Sequence, residues 1–110
     1  MIITDQMVEA ALNYLNIDPH PYAVAEYKLA EAKNAKEKKF AELFTATREG
    51  TVKDRECLVE IDPSYQATKT AEARAIRELA AHKARRVWAD KITDLYQTVS
   101  ANTRYAERIR

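Results

Sequence analysis

A chain of 110 residues with 18 Lys and Arg against 17 Asp and Glu has a formal net charge of +1. That balance argues against a protein held on nucleic acid mainly by net charge. One Gly and three Pro suit long helices and are poor material for a β-sandwich or a Gly-rich phosphate loop.

The length predicts a single domain over residues 1–110. Cys57 is the one cysteine, so no intramolecular disulfide forms within a chain, and a reducing cytoplasm is the expected home. No apolar run approaches the roughly 18–20 residues that cross a membrane, and the N-terminus has no signal-peptide pattern.

In chain order, Thr4 precedes Asp5 and the apolar positions Met7, Ala10, Ala11, Tyr14 and Leu15. This predicts a short helix over 4–16, capped by Thr4, with Asp5 at the positive end of the helix dipole. Ile17-Asp18-Pro19-His20-Pro21 ends it in a rigid corner, because each proline restricts itself and the residue before it. From Tyr22 to Glu49 there is no Pro or Gly. Tyr22, Ala25, Leu29, Ala32, Phe40, Leu43 and Phe44 predict a second, long helix over 22–49, about 42 Å at ~1.5 Å per residue. Lys36 interrupts its stripe, and thinner packing is expected there.

Gly50 stands as a C′ signal for that helix, since Gly takes positive φ without strain. Thr51 with Asp54 three residues on forms a capping-box pattern that opens a third helix over 52–61. That helix is expected to carry Leu58 and Ile61 inward. Asp62-Pro63 is an N-cap followed by a proline at the first helical position. A run without Gly or Pro follows, predicting a helix over 63–100, about 57 Å at ~1.5 Å per residue. Its stripe of Tyr65, Ile76, Leu79 with Ala80, Ala84, Val87 with Trp88, Ile92, Leu95 and Val99 is thin from Thr68 to Glu72, and the main core is expected from Ile76 onward. Residues 101–110 form a basic tail expected to fray. The resulting architecture is all-α: an antiparallel long-helix hairpin with a short helix before each arm. Such a core is thin, and Ile2, Ile3, Val8, Leu12, Val24, Tyr27 and Val59 add apolar surface. Self-association, with a dimer as the simplest state, is therefore expected.

The candidate chemistry is sparse. Cys57 near Arg55 has no base in view to make it a nucleophile. A small, buried or half-buried helical residue is the plainer reading. Glu78 and His82 share a helix face, but two ligands fall short of a metal site, and a surface polar pair is expected. No phosphate loop, nucleophile elbow or HExxH occurs, so neither enzymatic activity nor a cofactor is expected. Lys33/Glu37, Lys38/Glu42, Arg74/Glu78 and Arg86/Asp90 have i,i+4 spacing in the weaker Lys-before-Glu sense. Two basic groups remain as candidates for nucleic-acid or partner binding. One is Lys33, Lys36, Lys38 and Lys39. The other is Lys83, Arg85, Arg86 and Lys91 around Trp88, with Arg74 and Arg77 upstream. Cations beside an aromatic suit phosphate contact with base stacking. The plainer alternative is a solvated helix face with Trp88 in the core.

From Gly50 to Arg104, three segments carry a resemblance. They are Thr51-Val-Lys-Asp-Arg-Glu56, then Asp62-Pro-Ser-Tyr-Gln66, then Trp88 followed by Ile92-Thr-Asp-Leu-Tyr-Gln-Thr98 and Ala101-Asn-Thr-Arg104. Their order resembles a group of small all-helical proteins encoded by tailed phages and prophages, often beside recombination genes. The resemblance implies a phage origin and action in the host cytoplasm. The expected function is a non-enzymatic accessory protein that binds nucleic acid or a DNA-recombination or replication partner. Two alternatives are an inhibitor of a host defence complex acting by protein contact, and a virion structural or scaffolding component.

Overall fold

A computed structural model describes residues 2–109; Met1 and Arg110, the last residue of the expected tail, lie outside the described residues. The protein is all-α. Its helices are α1 (Asp5–Leu15), α2 (Pro21–Ala46), α3 (Val52–Glu60) and α4 (Pro63–Ile109). The long α2 and α4 pack antiparallel.

Local chemistry explains most of the helix ends. Thr4 Oγ1 accepts from the Met7 N–H at 3.2 Å and caps α1. His20 Nδ1 accepts from the Tyr22 N–H at 3.1 Å, so the imidazole caps α2, with Pro21 at the first helical position. The Asp18–Pro19 bond in the corner is cis. Thr51 and Asp54 form the expected capping box on α3: Thr51 Oγ1 accepts from the Asp54 N–H at 3.2 Å, and Asp54 Oδ2 accepts from the Thr51 N–H at 3.3 Å.

Two boundaries differ from expectation. Helix α2 ends at Ala46, before Gly50, so Gly50 is not its C′ residue. Its φ of 98° instead serves the loop entering α3, where an added Cβ would lie 3.2 Å from Asp54 Cβ. Helix α4 runs past Ser100 to Ile109. The sequence from Ala101 onward contains neither Gly nor Pro to stop it.

Asp62 caps α4. Its Oδ1 accepts from the Ser64 hydroxyl at 2.5 Å and from the Ser64 N–H at 2.8 Å. These bonds hold the Asp62 carboxyl below the ordinary carboxylate range. A carboxyl whose folded pKa is lowered contributes stability above its unfolded value of about 3.9. That contribution is lost as pH falls through the lower folded value. Asp62→Asn, which cannot titrate, is therefore expected to show a smaller loss of melting temperature between neutral and acid pH than the parent. Parallel acid limbs for both proteins in thermal circular dichroism would contradict this.

The chain divides into two compact units. Unit 1 combines α1, the corner and the start of α2 with α4 from Ala81 onward. Its core is Val8, Ala11, Tyr14, Ala89 and Ile92, flanked by Ile3, Met7 and Leu15. Ala11 and Ala89 have no exposed surface, so α1 and α4 approach closely at small side chains. Tyr14 fills the space beside them. Its hydroxyl donates to the His82 carbonyl at 3.1 Å and lies 3.3 Å from His82 Nδ1. Its ring meets the edge of His20 at a centroid distance of 4.9 Å.

Unit 2 spans residues 24–80. Ala25, Val59, Tyr65 and Ala75 are buried in it. Helix α3 turns Val59 inward, whereas Leu58 and Ile61 are 50% and 72% exposed, contrary to expectation. The reason is Arg55, one turn before Val59. Its guanidinium lies 3.9 Å from the centroid of the Phe44 ring and donates to the Phe44 carbonyl at 2.7 Å, which fixes the rotation of α3. Phe40 stacks with Phe44 and meets Tyr65 edge-on at 5.8 Å.

Candidate interaction surface

The polar break in each long helix faces the other. Lys36 Nζ lies 2.9 Å from Glu72 Oε2, with the two side chains 29% and 18% exposed. The hydrogen-bonded carboxylate holds the Lys36 ammonium above its ordinary range. Lys36 is thus part of the α2–α4 seam, and the thin stretch from Thr68 to Glu72 is where the pair sits. Charge reversal tests this contact. Lys36→Glu and Glu72→Lys are each expected to lower the melting temperature by setting like charges in the seam, and the double variant should recover most of the loss. Additive losses in the double variant would mean that the pair is not coupled.

The other candidate cations are dispersed. At about 100° per residue, Lys33, Lys36, Lys38 and Lys39 point to different sides of α2. Lys39 is half-buried and pairs with Glu42 at 3.5 Å, while Lys33 and Lys38 are exposed. In the same unit, Arg74 and Arg77 are exposed on α4, and Arg74 lines a shallow groove shared with Lys28, Glu31 and Glu78. In unit 1, Lys83, Arg85, Arg86 and Lys91 are all exposed. Arg85 nevertheless stacks over Tyr14 at 4.4 Å and Arg86 over Tyr22 at 5.2 Å. Neither basic group forms a continuous stripe along one helix face. None of the four expected i,i+4 pairs forms. Glu78 instead meets Lys28 across the helices at 4.0 Å, and Lys69 meets Glu60 at 2.7 Å.

Several other expectations change. His82 pairs with Tyr14 rather than Glu78. Cys57 is exposed on α3, neither buried nor half-buried. Among the described residues, no group of three or more His, Cys, Asp or Glu side chains could hold a metal ion. No helix among them is long and apolar enough to cross a membrane.

The largest change concerns α4. Ile76, Val87, Trp88, Leu95 and Val99 were expected in the main core, yet they are 46%, 54%, 39%, 42% and 57% exposed. In unit 1, Trp88 and Leu95 line an apolar depression with Lys91, Ile92 and Asp94. Ile92 itself is only 1% exposed, so it marks the border between the side of α4 covered by α1 and an open side. Periodicity identified the apolar residues but not which side another helix would cover.

These features define an all-α protein built on an antiparallel pair of long helices, with an open apolar face on the longer one. No family model matches the chain, and neither a curated protein nor a solved structure matches it significantly.

Proposed function

We propose that the chain is a non-enzymatic phage accessory protein that works in the host cytoplasm through protein contact, with a component of phage DNA recombination or replication as its partner. The observation that carries this reading is the contrast between two surfaces. Trp88, Leu95 and Val99 leave large apolar area open on one helix. The basic residues are spread around their helices, and several are engaged by Glu72, Glu42, Tyr14 and Tyr22. A phosphate backbone needs several cations along one track. The phage setting rests on the resemblance between Gly50 and Arg104.

Fluorescence anisotropy with labelled single- and double-stranded DNA tests the choice of partner class. No saturable binding is expected at low or moderate salt. Saturable, salt-sensitive binding would restore the nucleic-acid reading. Affinity capture from infected cells tests the partner: phage recombination proteins are expected, and recovery of a host defence complex alone would turn the reading to inhibition.

A further inference from the structure

We infer that the open face of α4 in unit 1 is covered by a second copy of this chain, with the two α4 helices antiparallel about a two-fold axis near Thr93. The inference rests on the proposal that the protein works through protein contact, and it assigns one of its surfaces. At 3.6 residues per turn, Ala81, Trp88, Leu95, Val99 and Ala106 fall on one side of α4. All five are exposed. This side adjoins the one where Ala89 and Ile92 are packed against α1.

Two features select a second copy as the occupant. The first is the order of side-chain sizes. The stripe has a small residue at each end, Ala81 and Ala106, and its bulky members lie between them. An antiparallel copy centred between Thr93 and Asp94 sets Ala81 against Ala106 and Trp88 against Val99 of the second copy. Small ends let the helices approach while the centre fills with apolar volume. The second feature is charge. Lys91 and Asp94 flank the stripe on the same depression, on either side of that centre. Both lie on one flank of the stripe, and antiparallel pairing sets that flank beside the same flank of the second copy, so that Lys91 of each copy approaches Asp94 of the other; parallel pairing would carry the two flanks to opposite sides and keep these charges apart. The surface is thus self-complementary in one orientation, as an isologous interface requires.

The test is sedimentation equilibrium of the full chain over micromolar to submillimolar concentration. A mass of twice the chain is expected. Leu95→Glu is expected to weaken association by at least about tenfold, equivalent to ~1.4 kcal/mol, while leaving helix content unchanged, because Leu95 lies outside the folded core. Asp94→Lys is expected to weaken association and Lys91→Asp with Asp94→Lys to restore it. A monomer throughout the range overturns the inference, as does a dimer indifferent to Leu95→Glu. Protection of Trp88 by added DNA, with no self-association, would assign the face to nucleic acid instead. A monomer that ignores DNA removes this inference alone, while a dimer that binds DNA removes the proposed function alone.

Discussion

Replacing Tyr14 by Ala is expected to be among the most damaging single changes in unit 1, costing about 3–5 kcal/mol, the range for deleting a large buried aromatic side chain. Tyr14 is 1% exposed and joins three parts of the unit. Its ring packs in the α1–α4 core, its edge contact holds His20 at the corner, and its hydroxyl reaches His82 on α4. Arg85 also covers the ring. Total stabilities of small domains are about 5–15 kcal/mol, so the variant should be substantially unfolded or melt much lower. Tyr14→Phe removes only the hydroxyl contacts and should cost about 1 kcal/mol. Chemical denaturation followed by circular dichroism measures both. Similar losses for the two variants would place the stabilisation in the hydroxyl instead of in ring packing.

Ile92→Ala should cost about 2–5 kcal/mol, whereas Leu95→Ala, less than one helical turn away, should cost under about 1 kcal/mol in the monomer. Both are branched aliphatic residues on the apolar stripe of α4, and sequence pattern treats them alike. Ile92 is 1% exposed against α1, while Leu95 is 42% exposed. The comparison is best made at concentrations too low for self-association, so that a dimer contact of Leu95 does not enter. Equal losses there would mean that the stripe is buried as a whole in the monomer.

The pair shows what the sequence made legible. Helix starts were readable because caps are short-range chemistry: Thr4, Thr51 with Asp54, and Asp62 each bond backbone groups within three residues. The antiparallel long helices followed from two runs without Gly or Pro. Helix rotation was less legible. Large apolar residues draw attention in a periodic stripe, but the core between α1 and α4 also includes Ala89, which is fully buried and whose small side chain permits close contact. Likewise Val59 faces inward because Arg55 stacks on Phe44, a long-range contact that local periodicity does not contain. The basic clusters looked compact in sequence, but successive residues on a helix diverge by about 100°.

Lys36 and Glu72 have a further consequence for how α2 finds its place on α4. Apolar seams tolerate sliding, since one aliphatic layer replaces another after each heptad. An ionic pair does not. Displacing α2 by seven residues along α4 would bring Lys36 opposite Tyr65 or Leu79 and strand both charges beside apolar groups, a costly arrangement. The pair therefore works as an alignment key: it discriminates among registers that the hydrophobic layers alone would leave close in energy.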